Sequence, residues 1–311
     1  MRRFIFTLIA ISLTVSAIAQ NKKKMGNPNS PWKKGGMLSL NLAQSGSRNW
    51  AAGSEKFSLT FAGYLNLWAT RKAGKNTWSN SIDIGYSMIN THDQGVRKLD
   101  DKVDFISKYT YDVKPKFGAG FFFNTRTQMT DGFDYTEEQR RRISGFFAPA
   151  YITFAPGFEW RPKSYFSLFL SPVAAHWVVV TNKPYSFNYQ GGVKPDSSSE
   201  RSLASLYSVD PVKQVRFEVG PFVSANFNKD VCKNVHYHTR LDLQSDLTNG
   251  APLNIDIYWT NMIGMRVNKW LHVTYSFDLI YDNEVKMFGP HKTAPAAQLK
   301  SLLGVGVAAK F

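Results

Sequence analysis

Apolar and polar residues alternate along most of the chain after residue 37. In KFSLTFAGYLNL (56–67) and LHVTYSFDLIYD (271–282), apolar or aromatic side chains occupy almost every second position, and mostly polar ones lie between them. Side chains of an extended backbone point alternately to opposite faces, so this period predicts β-strands with one apolar and one polar face. Hardly any segment has the period of a helix. The sequence therefore predicts an all-β protein.

The length of these segments and of their connections indicates a membrane protein. The segments have about ten to fifteen residues, whereas strands of soluble proteins usually have ~5–6 and a tilted strand crosses a bilayer with ~9–11. The connections RKAGKN, DVKPK, RPKS, NKDVCKN and VNK are short, whereas residues 45–54, 90–101, 129–149, 181–211 and 283–298 form long ones. Short turns at one end and long loops at the other are typical of bacterial outer-membrane barrels.

We therefore predict a transmembrane antiparallel up-and-down β-barrel of about 12 strands over residues 37–311. The predicted strands are 37–45, 55–70, 76–90, 102–111, 117–128, 150–160, 165–180, 213–228, 234–247, 253–266, 271–282 and 301–311. An even number is consistent with both ends of the barrel on the periplasmic side.

The amino terminus predicts export. MRRFIFTLIAISLTVSAIAQ has two basic residues, a short apolar run and small residues before a cleavage point after Ala19, which predicts a signal peptide over 1–19. The alternative is an uncleaved anchor, which the shortness of the apolar run disfavours. Residues 20–36 are rich in Lys, Asn, Gly and Pro, and predict a flexible periplasmic leader.

The last residue is aromatic, which needs a reason because chain ends commonly fray in water. In hydrocarbon every backbone polar group must pair, so the last strand has to close on the first. Phe311 is then expected near the periplasmic interface, where aromatic girdles lie. We expect it to act as the assembly signal that the barrel assembly machinery reads. The alternative is the final strand of a soluble sandwich.

The short connections have ten basic residues against two acidic ones, Asp112 and Asp230, and so contribute +8 to the formal net charge of +15. Their basic residues are Arg71, Lys72, Lys75, Lys114, Lys116, Arg161, Lys163, Lys229, Lys233 and Lys269. We expect this basic rim to face anionic outer-membrane lipid, although solvated turns are the simpler interpretation. Nucleic acid is not an expected partner of an exported barrel.

Charged and polar residues of both signs fall on the predicted lumen face. The candidates for a polar network in the lumen are Arg126, Arg216, Glu218, His236, His238, Arg240, Asp242, Asp278 and Asp282. Such pairs can fill a barrel of this size and leave a narrow pore. Neither sign predominates, so the pattern does not indicate a charge-selective channel.

Catalytic, metal and cofactor sites are not predicted. His236 and His238 share a strand face, but two ligands beside Arg240 favour a hydrogen-bonded network over a metal site. The sequence has no G-x-S-x-G motif, and its histidines lie on the polar face instead of the lipid-facing rim that some outer-membrane lipid hydrolases use. No catalytic residue and no cofactor is therefore assigned.

A further candidate is a group of charges beside a long loop. Arg97, Lys98, Asp100 and Asp101 lie where the loop re-enters a strand, and Asp278 and Asp282 flank the lumen face of another strand. Pairing among these charges would pin a loop into the mouth of the barrel.

Several phrases resemble a known family. SRNWAAGSEKFSLT, RKLDDKVDF, FAPAYITFAPG and VNKWLHVTYSFDLIYDNE carry the motifs N-W-x-x-G, R-K-x-D-D, A-P-A-Y and L-I-Y-D. They resemble an uncharacterised family of Bacteroidetes outer-membrane proteins with a signal peptide and a domain of unknown function over nearly the whole mature chain. Many relatives have a second Gly where this chain has Ser54. The resemblance implies a Gram-negative outer membrane and no known activity.

Two classes of function remain open from the sequence. The preferred class is a non-enzymatic barrel that acts as a narrow pore, or as a structural or docking component through its long outer loops. The alternative is an outer-membrane enzyme that modifies or handles lipid.

Overall fold

The computed structural model describes residues 30–46, 57–135, 141–181, 202–210, 212–248, 254–268, 271–289 and 294–310. The signal peptide, most of the leader, the N-W-A-A-G segment and Phe311 lie outside the described residues. Within the described ranges, no helix is long and apolar enough to cross a bilayer.

The described chain consists almost entirely of β-strands. They are β1 (Trp32–Gly46), β2 (Phe57–Ala73), β3 (Asn76–Thr91), β4 (Gly95–Lys114), β5 (Phe117–Thr127), β6 (Gly132–Asp134), β7 (Arg141–Ser144), β8 (Ala150–Lys163), β9 (Phe166–Val179), β10 (Val215–Cys232), β11 (Val235–Ser245), β12 (Ile255–Arg266), β13 (Leu271–Tyr281) and β14 (Gln298–Lys310). A short 3-10 helix, Ala204–Tyr207, lies between β9 and β10.

Twelve of these strands close into one antiparallel barrel. The order around the ring is β1-β14-β13-β12-β11-β10-β9-β8-β5-β4-β3-β2, so chain neighbours are also ring neighbours once the small β6-β7 sheet is set aside. β1 completes the ring by pairing with β14, from Met37 opposite Lys310 to Asn41 opposite Gly306. The predicted up-and-down barrel of 12 strands is confirmed.

Several predicted strand ends differ from the structure by a few residues, and two of the differences change how a segment is assigned. β1 begins at Trp32, so residues 32–36 belong to the barrel and not to the leader. The predicted long loop 90–101 is a tight turn between Thr91 and Gly95, because β4 begins seven residues earlier than expected. The charged residues at the start of β4 lie at the barrel rim, where a strand tolerates charge on both faces.

The outer surface of the barrel is apolar and aromatic, as a strand facing lipid requires. Exposed large side chains on the outward positions include Leu59, Leu67, Phe121, Phe158, Trp160, Leu170, Phe217, Trp259, Leu303 and Val305. Neighbouring rings contact one another across strands, such as Phe117 and Phe158 with centroids 5.8 Å apart and Tyr165 and Phe227 at 5.5 Å. These contacts form aromatic bands of the kind found at membrane interfaces.

The seam between β14 and β1 depends on glycine. A Cβ atom on Gly306 would lie 1.9 Å from the carbonyl oxygen of Leu40, and one on Gly304 would lie 2.7 Å from the side chain of Asn41. Both distances are shorter than a Cβ contact allows. The alternation of Gly with Val in the last strand therefore has a steric cause at the point where the ring closes.

Three long connections pack together over one end of the barrel and form a cap. We define the cap as residues 143–148, 203–209 and 285–288. Its buried centre contains Ala148, Leu203, Ala204, Leu206, Tyr207, Val209 and Val285, packed on Val178 and Val180 of the barrel wall. Tyr207 donates a hydrogen bond to the carbonyl of Ile143 at 2.6 Å, and Ser208 donates to the carbonyl of Glu284 at 2.7 Å. The end with the cap is called the loop end, and the opposite end the turn end.

Candidate functional site

The lumen contains a cross-link between distant strands at mid-height. Arg240 of β11 donates to Asp104 of β4 at 2.5 Å and also contacts Asp242 at 3.2 Å. Asn124 donates to the same Asp104 carboxylate at 2.6 Å. All four side chains lie inside the barrel, since the alternation of each strand places them on the lumen face. Arg240 and Asp104 are buried, so each charge needs the other.

The ring of Tyr258 lies among these charges, and we call the ring together with the surrounding ion pairs the constriction. The guanidinium of Arg126 lies 3.8 Å from the centroid of its ring, that of Arg240 at 5.5 Å and the ammonium of Lys102 at 5.7 Å. Arg126 also contacts Asp242 at 3.7 Å. An aromatic face attracts cations, and the neighbouring carboxylates balance their charge. The ring and its ion pairs therefore occupy the middle of the lumen.

A second group of charges lies nearer the loop end. Lys300 of β14 contacts Asp278 at 2.8 Å and Asp100 at 2.9 Å, and Lys102 lies 3.9 Å from Asp278. Counted with the first group and with Asp83, which lies opposite Asp104, four cations (Lys102, Arg126, Arg240 and Lys300) face five anions (Asp83, Asp100, Asp104, Asp242 and Asp278). The constriction is close to neutral, as expected from the mixed signs on the lumen face.

Below the constriction, a wide cavity of about 1060 Å³ reaches the turn end. His236 and His238 line it but do not form a joint site: His236 contacts Asp230 at 2.8 Å, and His238 contacts the amide of Asn226 at 3.1 Å. The wall also carries the ion pair between Lys108 and Glu159. We call this space the inner vestibule.

Above the constriction lies an outer cavity of about 240 Å³. Its walls include Tyr151 and His176, whose Nδ1 contacts the hydroxyl of Thr153 at 2.8 Å. A smaller cavity of about 100 Å³ lies between it and the vestibule. The small cavity shares His238 and Arg240 with the vestibule, and Lys102 and Asp278 with the outer cavity. The three spaces form a series along the lumen.

Charged residues at the start of β4 form hydrogen bonds to the segment that follows β5. Lys98 contacts Asp101 at 3.1 Å and donates to the carbonyl of Thr130 at 2.8 Å. Asp101 accepts hydrogen bonds from the amides of Met129 and Thr130 at 2.8 and 2.7 Å. Arg97 lies over the ring of Tyr135 at 5.7 Å. Asp100 is directed elsewhere, to Lys300.

The predicted pairing of these residues with Asp278 and Asp282 is not found in the described structure. Asp278 contacts lysines of β4 and β14, as above. Asp282 lies at the loop end beside Asp256 and Glu284. Arg216 and Glu218 contact each other at 2.8 Å, below the cap.

Sequence reasoning missed several residues of the site. Lys102 and Tyr258 lie on the lumen face beside residues that were predicted, so the alternation of each strand was enough to predict that both face the lumen. Lys300 lies one residue before the predicted start of the last strand. The contacts themselves join strands far apart in the chain, which no local pattern specifies.

Burial shifts the pKa of two groups at the loop end, Tyr207 of the cap and Glu284 beside it. Burial, and after it the charge of Asp282, raises the pKa of the Tyr207 phenol, so its hydroxyl remains a hydrogen-bond donor. Burial, and after it the charge of Asp282, raises the pKa of Glu284 as well.

The basic rim is partly engaged within the protein. Arg161 forms an ion pair with Asp112 and lies 3.5 Å from Glu159, so its charge is directed toward the lumen. Lys229 lies over the ring of Tyr165 at 4.5 Å. Lys269 lies outside the described residues.

Residues 42–133 match a family described as a protein of unknown function, DUF3078. No curated protein matches the sequence. Solved structures with a similar course of the chain include the translocator domain of autotransporter NalP from Neisseria meningitidis, with 8% identity, a TM-score of 0.35, and 100% of this chain and 98% of that chain covered.

Two further similar structures are bacterial. An outer membrane channel from Pseudomonas putida F1 has 7% identity and a TM-score of 0.39, with 92% of this chain and 100% of that chain covered. The toluene transporter TbuX of Ralstonia pickettii has 9% identity and a TM-score of 0.30, with 92% and 90% covered. At these values the function of none of them is transferred to this chain.

Proposed function

We propose that this protein is an integral barrel of the bacterial outer membrane and a narrow, non-enzymatic pore for small polar or charged solutes. The observation that carries the proposal is the series of cavities in the lumen, which share charged residues from the vestibule to the outer cavity. The turn end faces the periplasm in this proposal, because short turns lie on that side of bacterial barrels.

The constriction sets the size limit and the selectivity of the pore. Side chains from nearly opposite walls meet at Arg240 and Asp104, so only small solutes pass without rearrangement. Cations and anions in nearly equal numbers along this part of the lumen give little net charge, and a pore of that kind discriminates weakly between anions and cations. The cap restricts entry at the loop end.

Ionic conductance across a planar bilayer tests this proposal. The full chain should give small unitary currents, and the double variant Arg240→Ala/Asp104→Ala should give currents several times larger. Asn228→Ala, which changes the wide vestibule, is the matched control and should leave the currents unchanged. Absence of current from both the natural chain and the folded double variant would overturn the pore.

Docking through the loops is the second candidate, and two exposed apolar residues favour it. Phe146 is 61% exposed and Val212 90% exposed at the loop end. A photo-reactive amino acid at position 212 should cross-link to a defined partner in whole cells if the protein docks. The same group at lipid-facing position 173 is the control, and equal products from both positions would argue against docking.

The enzymatic alternative has a weaker basis in the described residues. The contact between Thr153 and His176 pairs a hydroxyl with an imidazole, but both residues are buried inside the barrel and not at a lipid-facing rim. Release of fatty acid from labelled outer-membrane lipid by the purified chain would favour the enzyme over the pore.

The proposed lipid partner of the basic rim is tested separately. The variant Lys114→Gln/Lys116→Gln/Lys163→Gln/Lys233→Gln should retain less anionic lipid on purification, because each basic residue near anionic lipid contributes ~1 kcal/mol. Lys213→Gln, at the loop end, is the control. Unchanged lipid retention in the fourfold variant would defeat this part of the proposal.

A further inference from the structure

Three carboxylates converge at the loop end of the lumen. One oxygen from each of Asp256, Asp282 and Glu284 lies within 4.8 Å of the others. We call these residues the acidic cluster. Asp256 is the first residue of β12 that faces the lumen, whereas Asp282 and Glu284 lie just beyond the end of β13. The acidic cluster is therefore formed by the barrel wall and by the connection after β13, which continues into Val285 of the cap.

The strand register brings the first two members together. Ile257 lies opposite Tyr281 in the pairing of β12 with β13, which places Asp256 and Asp282 opposite each other at the next position, on the lumen side. Like charges directly opposite one another destabilise a sheet. The backbone amides of Asn283 and Glu284 donate to Asp256 and Asp282 at 3.3 and 2.8 Å, which satisfies one oxygen of each.

Two further carboxylates beside the cluster lack sufficient partners. Glu218 is 1% exposed and Asp246 is 6% exposed. Oε2 of Glu218 and Oδ2 of Asp246 accept no hydrogen bond from the described residues. Glu218 lies within electrostatic range of Asp246, Asp282 and Glu284, and Asp246 within range of Glu284.

The direction of these two side chains follows from the sheet. Phe222 lies opposite Gln244, so Asp246 and Glu218 continue the lumen-facing positions of β11 and β10 toward the loop end. Within the described residues, Arg216 is the cation that contacts Glu218. Glu218 and Asp246 therefore add to the acidic charge around Asp256, Asp282 and Glu284, and a bound cation would neutralise part of it.

The chemistry of the ligands indicates which cation the acidic cluster would bind. Carboxylate oxygens are the ligands of hard cations, and Ca²⁺ takes them at about 2.3–2.6 Å whereas Mg²⁺ requires about 2.0–2.1 Å. Oxygens on opposite sides of Ca²⁺ are thus about 5 Å apart, against about 4 Å for Mg²⁺. The separations of at most 4.8 Å in the acidic cluster allow one ion to reach all three carboxylates. A site formed by protein carboxylates favours Ca²⁺, because Mg²⁺ usually keeps several of its waters and binds only one or two carboxylates.

We propose that the acidic cluster is a Ca²⁺ site that fastens the cap to the barrel wall, with Glu218 and Asp246 as the surrounding anions. Glu284 belongs to the same connection as Val285, which is buried in the cap, and its carbonyl accepts a hydrogen bond from Ser208. An ion held by Asp256 on β12 and by Glu284 therefore joins a fixed strand to the cap.

Calcium titration of the detergent-solubilised full chain tests the site. After treatment with EDTA and removal of the chelator, calorimetry should show one bound Ca²⁺ per chain, with Mg²⁺ at least tenfold weaker. Ca²⁺ should also raise the melting temperature and slow proteolytic cleavage within residues 203–209. Absence of Ca²⁺ binding by the natural chain would overturn the proposal.

Two variants separate a lost site from a lost fold. Asp256→Asn/Asp282→Asn should bind Ca²⁺ at least tenfold more weakly, yet melt in EDTA at or above the temperature of the natural chain because repulsion is removed. Asp93→Asn changes an exposed carboxylate of the β3-β4 turn and should bind Ca²⁺ normally. Unchanged affinity in the double variant would place the ion elsewhere and refute the site.

Discussion

The Nη2 atom of Arg240 lies 2.5 Å from Oδ2 of Asp104, although β11 and β4 stand five places apart in the twelve-strand ring. Side chains from nearly opposite walls thus meet across the lumen. This contact crosses the lumen between the wide vestibule on one side and the smaller cavities on the other.

Removing one partner of this pair should be costly. Arg240→Ala leaves the buried Asp104 carboxylate without its main cation, which should lower the free energy of unfolding by about 3–5 kcal/mol. The double variant Arg240→Ala/Asp104→Ala should lose less than the sum of the two single variants. Urea unfolding in lipid vesicles measures these differences. Arg266→Ala, an exposed arginine at the turn end, is the control; an equal loss there would show that the pair has no special role.

Loop attachment near β6 should depend on Asp101. Asp101→Ala removes the acceptor of two backbone amides and the partner of Lys98, and a hydrogen bond to a charged group contributes about 1.5–3 kcal/mol. Proteinase K should therefore cleave within residues 129–149 about tenfold faster or more. Asp93→Ala should not change the rate. Equal cleavage of the Asp101 variant and the natural chain would mean that the segment is held by other contacts.

Ring closure should be sensitive to one methyl group. Gly306→Ala places a Cβ atom against the Leu40 carbonyl, so β14 must move away from β1. We expect less folded barrel in the gel-shift assay that separates compact from heat-unfolded barrels. Gly264→Ala is the matched control, because a Cβ atom there has nothing within 4 Å. Similar yields of folded barrel from both variants would contradict the steric argument.

The cap should open when its apolar centre is weakened. Leu206→Ala creates a cavity among buried side chains and should cost about 2–5 kcal/mol of local stability, whereas Tyr207→Phe removes one hydrogen bond and should cost about 0.5–1.5 kcal/mol. Hydrogen exchange of residues 203–209 reports the opening. Leu247→Ala, at an exposed rim position, should leave the exchange unchanged. Faster exchange in that variant alone would show that Leu206 and Tyr207 do not hold the cap closed.

Strand alternation predicted the barrel well because lipid imposes a simple rule on every strand. The outward face must be apolar and the backbone must pair, so period and length were enough to find all twelve strands. The rule fails at the rims, where water is present. There Arg97 and Lys98 suggested a loop, although the chain is already in β4, just before a bulge at Leu99 opposite Ser87 and Met88.

For the candidate site, the sequence predicted which side chains face the lumen but not which of them contact each other. Alternation placed Arg240, Asp242 and Asp278 in the lumen, but their partners Asp104, Tyr258 and Lys300 come from strands that no local pattern connects. The cap was missed for the same reason. Leu206 and Val285 pack together from two connections separated by four strands, and the sequence around each resembles an ordinary loop.

The central claim is that one face of every strand meets lipid and the other lines an aqueous lumen. Single cysteines at Asn226, Asn228, Ala225 and Phe227 of β10, in a Cys232→Ser background that removes the exposed native thiol, test it in proteoliposomes. A charged, water-soluble thiol reagent should label positions 226 and 228, and a lipid-soluble maleimide should label positions 225 and 227. Equal labelling of all four positions by the water-soluble reagent would contradict the account.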